Sequence, residues 1–319
     1  MADPVLVAQE LSKTFRLGLR RKVVRAVRGL SLSIERGEIF GFLGPNGAGK
    51  STTIKMLMGL IFPTSGTASI FGQPIPSREA KRQLGFLPEN PSFHEFFTPE
   101  ELLWFSGRLC QMPSGRIAER VPMLLDLVGL SRFTKVPLRR FSKGMVQRAG
   151  IAQALINDPA LVVLDEPMSG LDPIGRKDVR DIIFKLREQG KTVFFSTHIL
   201  PDVEAICDRV GLVLRGEMRE QGKLETLLTA RTRAIDIIAE RVPADLVEKL
   251  KAKASRVIPK GDGLALTFLD EEGADEAVAA LVAAKARLVQ VARHRETLED
   301  LFMRLAEEAG QVGAGGQVA

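Results

Sequence analysis

The sequence predicts an α/β protein with a parallel sheet at its centre, and two observations favour this fold class. Short apolar runs at residues 38–43, 161–164 and 192–196 have the composition of strands that are buried on both faces. Segments with helical signals separate these runs along the chain. Strands that alternate with helices in this way form parallel sheets whose connections are crossover helices.

The same signals predict the elements of the longer N-terminal part of the chain, in order. Apolar runs or apolar–polar alternation predict strands at 5–7, 30–35, 38–43, 67–71, 161–164, 192–196 and 210–215. Helical signals predict a helix from 50 to about 60, helical structure from about 99 to 150, and a helix at 173–189 that ends at Gly190.

The composition changes after Gly222, and the following residues predict a small separate α+β domain at 231–308. Its strands are expected at 234–239, 264–269 and 288–293, and its helices at 244–254, 274–284 and 297–307. The Gly-rich residues 309–319 predict a disordered tail. The first domain is therefore expected to span residues 1–225.

The chain has 319 residues and a formal net charge of +6. A basic balance is compatible with nucleic acid, with an anionic membrane surface or with no specific partner. Basic residues cluster before the first glycine-rich loop, at Arg16, Arg20, Arg21, Lys22, Arg25 and Arg28. This cluster is either a solvated loop between two strands or a contact for lipid head groups or for an acidic loop of a partner.

Two absences in the sequence narrow the class of protein. Cys110 and Cys207 stand far apart in no metal-ligand pattern, which predicts reduced thiols rather than a zinc site. No apolar run reaches the roughly 18 residues that a membrane-spanning helix needs, and the first residues lack the regions of a signal peptide. A cytosolic location is expected, with any link to a membrane made through a partner.

A glycine-rich loop predicts a phosphate-binding site. The run Gly44, Pro45, Asn46, Gly47, Ala48, Gly49, Lys50 and Ser51 fits the pattern G-x-x-x-x-G-K-[S/T] between a predicted buried strand and a predicted helix. Glycines let backbone N–H groups wrap around phosphate oxygens, and the helix adds its positive end. Lys50 is expected on the β- and γ-phosphates, Ser51 on Mg²⁺ and Thr52 at the α-phosphate. The alternative is a glycine-rich turn with an exposed lysine.

A pair of acids at the end of a predicted strand supports the phosphate-binding interpretation. Asp165 and Glu166 follow the apolar run 161–164. Ligands of parallel sheets bind at the carboxyl ends of the strands, so the pair is expected next to the glycine-rich loop. Asp165 is expected to hold Mg²⁺ through its waters, and Glu166 to orient or deprotonate the attacking water. The alternative is a polar strand end.

Three further segments narrow the choice among phosphate-loop proteins. They are the run of residues 141–145 that reads Phe-Ser-Lys-Gly-Met, the run of residues 169–172 that reads Ser-Gly-Leu-Asp, and the run of residues 196–198 that reads Ser-Thr-His. Together with the loop and the acid pair, in this order, they resemble the ATP-binding-cassette (ABC) ATPases from about Val5 to Gly222. The resemblance implies a P-loop NTPase fold with an N-terminal antiparallel β-subdomain and a helical subdomain at about 90–150.

The resemblance also implies roles for individual residues. Ser142 and Gly144 match the signature loop, which caps the γ-phosphate on the opposing subunit, and Asp172 matches the loop that crosses the dimer interface. His198 matches the switch histidine that contacts the γ-phosphate. Phe15 stands where the family has an aromatic ring that stacks on adenine, although a core position at a strand end is the alternative.

Two positions depart from the usual family pattern. The signature usually reads Leu-Ser-Gly-Gly-Gln, and here Phe141, Lys143 and Met145 replace three of its residues. This variant resembles one found in ABC subunits of drug, ion or polysaccharide exporters, and residues 296–302 resemble the end of such subunits. Glu89 stands in place of the glutamine of another loop, where it is expected to reach Mg²⁺ or water.

The resemblance implies an ATP-hydrolysing subunit with Glu166, His198 and Lys50 as catalytic residues and with ATP and Mg²⁺ as ligands. A homodimer and an integral membrane permease on a separate chain are the expected partners, at the cytoplasmic face of the inner membrane and without nucleic acid. The alternatives are a soluble ABC ATPase that acts on nucleic acid or the ribosome, and a phosphate-loop kinase or GTPase.

Overall fold

The computed structural model describes residues 4–17, 22–228, 232–261, 263–295, 297–308 and 310. The chain divides into two compact units, of which the first ends at Leu224 and the second begins at Glu225. Two parts of the sequence prediction lie outside the described residues: Arg20 and Arg21 of the basic cluster, and the expected disordered tail apart from Gly310.

The first unit combines ten strands, seven α-helices and two short 3₁₀ helices, Ser131–Phe133 and Leu138–Arg140, in the described ranges. The strands are β1 (Pro4–Leu17), β2 (Lys22–Glu35), β3 (Ile39–Leu43), β4 (Ser65–Ile70), β5 (Gln73–Pro74), β6 (Leu84–Leu87), β7 (Leu161–Asp165), β8 (Thr192–Thr197), β9 (Arg209–Leu214) and β10 (Glu217–Lys223). The helices are α1 (Lys50–Leu57), α2 (Arg78–Arg82), α3 (Pro99–Leu109), α4 (Ser114–Leu127), α5 (Lys143–Ala154), α6 (Pro173–Glu188) and α7 (Leu200–Ile206).

The larger sheet of this unit has the order β10-β9-β3-β8-β7-β6. Strands β9, β3, β8, β7 and β6 run parallel, and β10 pairs antiparallel with β9. Every residue of β3, β7 and β8 is buried. This explains why β3 is apolar throughout and β7 is apolar up to Asp165, whereas β8 combines an apolar centre at 193–195 with buried hydroxyls at its two ends. The predicted parallel sheet is confirmed, and the carboxyl ends of β3, β7 and β8 lie side by side.

The smaller sheet is antiparallel, with the order β2-β1-β4-β5. Leu6, Leu11, Leu30 and Ile34 point inward from it and are almost completely buried. They belong to the same apolar cluster as Phe42 of the parallel sheet, so the two sheets share one core. The antiparallel N-terminal subdomain that the resemblance implied is therefore present.

The helices α3, α4 and α5 form the helical part of the unit. Thr98 caps α3 through a reciprocal pair of hydrogen bonds: its hydroxyl accepts from the N–H of Glu101 at 3.2 Å, and the Glu101 carboxylate accepts from the N–H of Thr98 at 2.8 Å. α4 packs closely on α3, because a Cβ on Gly107 would lie 2.8 Å from Cγ1 of the buried Ile117. Helical structure predicted from 99 to 150 is found as separate helices.

The second unit contains a four-stranded antiparallel sheet of order β12-β13-β11-β14, with strands β11 (Thr232–Glu240), β12 (Arg256–Lys260), β13 (Gly263–Phe268) and β14 (Arg287–Arg295). Its helices are α9 (Ala244–Lys253), α10 (Glu271–Ala283) and α11 (Leu298–Glu308), and the short α8 (Leu224–Leu228) begins at the boundary. The chain order βαββαβ from β11 to β14 is that of a ferredoxin-like unit. Ile237, Leu266, Phe268 and Leu281 form its core with no exposed surface.

Four described strands were not predicted, and each has a physical reason. β5 has only two residues, Gln73 and Pro74, which give no pattern. β10 is largely polar, and it lies at the edge of its sheet beside β9. β12 contains Pro259 and charged residues, which only an edge strand tolerates. β6 has only four residues and gives too short a pattern. The helix expected to reach about Leu60 ends at Leu57, since Gly59 has the left-handed φ of 63°.

Candidate functional site

The glycine-rich loop connects the buried strand β3 to helix α1 at the carboxyl edge of the parallel sheet. Gly49 immediately precedes the helix with φ of 103°, and a Cβ there would lie 2.5 Å from the carbonyl oxygen of Ala26. Only glycine fits this combination of backbone conformation and close approach. The loop is closed internally, because the N–H of Ala48 donates to the Pro45 carbonyl at 3.1 Å.

Lys50, the first residue of α1, is buried within the loop with 5% of its side chain exposed. Its Nζ donates to the Gly44 carbonyl at 2.7 Å and to the Pro45 carbonyl at 3.3 Å. It also lies 3.1 Å from Oε1 of Glu166, whose side chain is equally buried. A buried ammonium needs such partners, and these hold it at the mouth of the loop.

Asp165 ends strand β7 and points at the start of α1. Its Oδ1 accepts from the Ser51 hydroxyl at 3.2 Å and from the Ser196 hydroxyl at 2.6 Å. Burial raises the pKa of Asp165 above its ordinary value, and the two hydroxyl donors offset this only in part. The carboxylate is therefore held in one orientation in surroundings that favour the arrival of positive charge.

Glu166 has a left-handed backbone conformation, with φ of 49°, which is uncommon for a residue other than glycine. Its N–H donates to the Ser196 hydroxyl at 3.0 Å. Its Oε2 lies 2.8 Å from Nδ1 of His198, while Oε1 pairs with Lys50. One buried carboxylate thus spans the lysine of the loop and the histidine that follows β8, and strained backbone of this kind is typical of functional sites.

A cavity of about 310 Å³ opens over the loop. Its lining combines loop, helix and acid residues: Ala26, Asn46, Gly47, Ala48, Gly49, Lys50, Ser51, Thr52, Glu89 and Glu166. Glu89 is exposed and follows β6, so the structure brings this expected metal-site residue to the same cavity. The space is of the size that small-molecule sites usually have.

Three expected residues lie at exposed helix tips and do not line this cavity in the described part of the chain. Ser142 is the N-cap of α5, where its hydroxyl accepts from the N–H of Met145 at 3.3 Å. Gly144 lies in the first turn of the same helix. Asp172 is the N-cap of α6 and accepts from the N–H of Gly175 at 3.0 Å. A single chain therefore does not gather all of the predicted site residues.

Phe15 is also absent from the residues that line the cavity among those described. It lies on β1 opposite Val24 of β2 and is half-buried, so it is not a fully buried core residue. The ammonium of Lys13 lies 5.2 Å from the centroid of its ring. One side of the ring is thus covered by a cation, as in other cation–π contacts.

Comparison with known proteins identifies the family. Residues 27–169 match the family model described as "ABC transporter". The chain is 42% identical over 96% of its length to an uncharacterised ABC transporter ATP-binding protein of Synechocystis, of which it covers 86%. The chain belongs to the ABC transporter ATP-binding proteins. The fold is that of an ABC ATPase, and the reaction of this family is ATP hydrolysis.

Two further matches agree with this family. The chain is 35% identical over 90% of its length to the Nod factor export ATP-binding protein I of Ralstonia nicotianae, of which it covers 92%. A dimeric ATP-binding cassette solved in a post-hydrolysis state with ADP and Pi is similar with a TM-score of 0.62 and 26% sequence identity, over 69% of this chain and 98% of that one. The prediction that the chain is an ABC ATPase is confirmed.

The residues around Asp165 fit a magnesium ion. Mg²⁺ prefers oxygen ligands and is usually held by one or two carboxylates together with substrate phosphates and waters. The oxygens of Ser51 and Asp165, 3.2 Å apart, provide a hydroxyl and one carboxylate beside the loop. The described residues contain no cluster of three or more His, Cys, Asp or Glu that could hold a metal, so the protein alone does not form a closed cage.

Two residues of this site were not predicted as functional. Ser196 belongs to the run 196–198, for which only His198 has a predicted role. Its hydroxyl nevertheless donates to the Asp165 carboxylate and accepts from the N–H of Glu166. A hydroxyl at the end of the strand beside the acid strand is a signal that could have identified it. Ala26 lines the cavity from β2, and nothing in its sequence neighbourhood marks it out.

Proposed function

We propose that this chain is the ATP-hydrolysing subunit of an exporter, and that it works as a homodimer with an integral membrane permease on a separate chain. The observation that supports this most directly is the buried Glu166, held between Lys50 and His198 beside the phosphate loop. That arrangement presents a carboxylate, an ammonium and an imidazole where the terminal phosphate of ATP would lie. The proposal also assigns a role in ATP binding or hydrolysis to each predicted residue of the site.

In the proposed mechanism the loop residues Gly44 to Thr52 bind the triphosphate through their N–H groups and through Lys50. Glu166 accepts a proton from the attacking water, and His198 holds the Glu166 carboxylate and contacts the γ-phosphate. Ser51, Asp165 and Glu89 are the proposed magnesium ligands, direct or through water. A magnesium ion bound there would neutralise negative charge on the phosphates. Phe15 stacks on adenine with the ring face that Lys13 leaves open.

The division of the site between exposed tips and a buried loop supports the homodimer. Ser142, Gly144 and Asp172 lie away from the cavity of their own chain. A two-fold pairing places them opposite the phosphate loop of a second copy, so that ATP becomes part of an isologous interface. Ile174, at the start of α6, has 71% of its surface exposed and adds an apolar side chain to that face. ATP binding then closes the dimer, and hydrolysis opens it.

An apolar groove beside Glu89 supports a permease partner. The groove has a volume of about 510 Å³ and is lined mainly by apolar and aromatic side chains, among them Pro88, Phe93, Phe97, Phe105 and Leu109. Leu109 is 68% exposed, and an exposed leucine within an apolar groove favours contact with a partner. None of the helices in the described ranges is long and apolar enough to cross a membrane. We propose that the permease docks here, at the cytoplasmic face of the inner membrane.

The relatives favour transport over the alternatives. The Ralstonia relative is named an export protein, which supports export as the direction here. The relatives reported above are transporter ATP-binding proteins, so action on nucleic acid or the ribosome is not favoured, nor is a kinase or GTPase activity. The basic residues Arg16 and Arg25 on the β1–β2 hairpin are then solvated or face an anionic surface.

Isolation of the tagged chain from native membranes tests this proposal. We expect a multi-span membrane protein to be recovered with the parent chain and to be lost with Leu109→Glu, which places a charge in the groove. Met123→Glu is the matched control, because Met123 is 65% exposed on α4 and does not line the groove. Failure to recover any integral membrane protein, or equal recovery with Leu109→Glu, contradicts the proposed partner.

A further inference from the structure

Ser196 is a fully buried polar residue near the carboxyl end of β8. It has no exposed surface, and β8 lies between β3 and β7 in the parallel sheet. In register, Ser196 stands opposite Phe42 of β3 on one side and opposite Asp165 of β7 on the other. All residues of these three strands are buried, so their close packing determines where the Ser196 side chain lies.

The hydroxyl of Ser196 is bonded to both residues of the acid pair. It donates to Oδ1 of Asp165 at 2.6 Å, and it accepts from the N–H of Glu166 at 3.0 Å. A serine hydroxyl has a single hydrogen to donate, so that hydrogen is committed to the Asp165 carboxylate and a lone pair to the N–H. Hydrogen bonds from a hydroxyl to an ionised carboxylate are short and strong, and the distance to Asp165 is in their range.

The end of β8 holds Glu166 at two points. Ser196 accepts from its backbone N–H, and His198, two residues further along the chain, lies 2.8 Å from its Oε2. Glu166 has the left-handed φ of 49°, a conformation that persists in a glutamate only where neighbouring contacts enforce it. The hydrogen bond to Ser196 is one such contact. It supports the backbone conformation from which the Glu166 side chain reaches His198 and Lys50.

We propose that Ser196 is a positioning residue for ATP hydrolysis: its hydroxyl, anchored on the Asp165 carboxylate, holds the backbone of Glu166 so that the Glu166 carboxylate faces the reacting phosphate. This inference rests on the proposed role of Glu166 as the base. Ser196 is not among the described residues that line the cavity, so it acts through Glu166 and not on ATP directly. Its loss therefore lowers the rate of hydrolysis and leaves the binding of ATP by the phosphate loop nearly unchanged.

The test measures steady-state turnover of the full-length chain per folded molecule. For Ser196→Ala we expect kcat to fall about ten- to a hundredfold, as for the loss of a hydrogen bond to a charged group, while KM for MgATP changes by less than about threefold. Ser196→Thr keeps the hydroxyl and is expected to retain most of the activity. Equal losses in the threonine and alanine variants overturn the role of the hydroxyl. Ser196→Cys fills a similar volume with a weak donor, so it is expected to lose turnover and gives the result if the alanine variant does not fold.

Thr192→Val is the matched control for a purely structural role. Thr192 is the first residue of β8, is 1% exposed, and its hydroxyl accepts from the N–H of Gly37 at 2.9 Å. The change removes a buried hydroxyl that satisfies a backbone N–H, as Ser196→Ala does, but at the opposite end of the same strand. We expect both variants to lower the melting temperature and only Ser196→Ala to lower turnover per folded molecule. Equal turnover in the two variants overturns the proposal.

A double-mutant cycle with Glu166→Gln shows whether Ser196 acts through Glu166. We expect Ser196→Ala to slow phosphate release by less than about threefold in the Glu166→Gln background, because the base that Ser196 positions is already absent. A loss as large as in the parent overturns the route through Glu166.

The same measurements distinguish this inference from the proposed function. If Glu166→Gln hydrolyses ATP at the parental rate, the assignment of the base is wrong, and the role of Ser196 is refuted with it. If Glu166→Gln is inactive and Ser196→Ala is as active as the parent, only the role of Ser196 is refuted.

Discussion

The replacement of Glu166 by glutamine is the sharpest test of the proposed chemistry. The change keeps the size of the side chain and an oxygen that accepts from Lys50, but it removes the negative charge and the basic carboxylate. Glu166 is 5% exposed and touches both Lys50 and His198, so the side-chain geometry is fixed from two sides. We expect Glu166→Gln to bind ATP and to form a stable ATP-bound dimer, while hydrolysis is nearly lost.

The magnitudes follow from the contacts. At 3.1 Å, and with the effective dielectric constant of about 20 that suits such sites, the attraction between Lys50 and Glu166 is about 5 kcal/mol before desolvation is counted. A neutral hydrogen bond of roughly 1 kcal/mol replaces it in the variant, so the lysine is freer to bind phosphate. Loss of a general base lowers turnover by about 10²–10⁴-fold, which corresponds to roughly 3–5 kcal/mol of barrier.

The assay is steady-state phosphate release together with sedimentation in MgATP. Glu38→Gln is the matched control, because Glu38 is also a buried glutamate in an ion pair, 3.1 Å from Arg209, but it does not line the cavity. We expect this control to change stability and to leave turnover per folded molecule intact. Hydrolysis by Glu166→Gln at the parental rate would refute the assignment of Glu166 as the base.

Three further changes test other parts of the site. Lys50→Ala is expected to lower ATP affinity by about a hundredfold, measured by calorimetric titration, since it removes the charge that bonds phosphate; unchanged affinity would contradict the phosphate role. Asp165→Asn is expected to raise the nucleotide-free melting temperature at neutral pH by about 2–4 °C while abolishing its increase with MgATP, since burial raises the pKa of Asp165 and makes its ionised form costly. The free energy of unfolding of the parent falls as the pH rises from the ordinary pKa of aspartate to the raised pKa of Asp165, whereas that of Asp165→Asn lacks this decrease. Parallel curves of stability against pH for the two proteins would contradict the prediction. Phe15→Leu is expected to weaken ATP about fivefold but not inorganic triphosphate, and equal losses for both ligands would exclude stacking on adenine.

The parts of this fold that the sequence predicts well are those in which one physical requirement dominates each position. Strands β3 and β7 are buried on both faces, so every residue except Asp165 is apolar, and the apolar run 193–195 marks the buried strand β8 in the same way. The end of α6 is equally clear, because Gly190 with φ of 77° is the usual residue after a helix end. The phosphate loop is specified by glycine, since Gly49 has no alternative at its φ and its distance to Ala26.

The other features of the fold and of the site depend on tertiary packing, which no local sequence pattern reveals. Ser196 and Asp165 are far apart in the chain and meet only because β7 and β8 are neighbours in register, with Asp165 opposite Ser196. The contact of Lys143 with Gly170 likewise requires the packing of α5 beside the turn after β7. The left-handed backbone of Glu166 also could not be read from residue type, because glutamate rarely adopts it.

The contacts of Lys50 explain how the site can couple binding to catalysis. Its ammonium has three donors, and in the chain as described they meet two loop carbonyls and the Glu166 carboxylate. A phosphate oxygen at the loop must therefore replace one of these partners. The carbonyls belong to the loop that forms the phosphate site, whereas Glu166 is also held by His198, so the Lys50–Glu166 contact is the one that can be exchanged without loss of the loop. Under the proposed mechanism, the arrival of ATP therefore frees Glu166 to act as the base when the substrate is present, and His198 holds its carboxylate in place during the exchange.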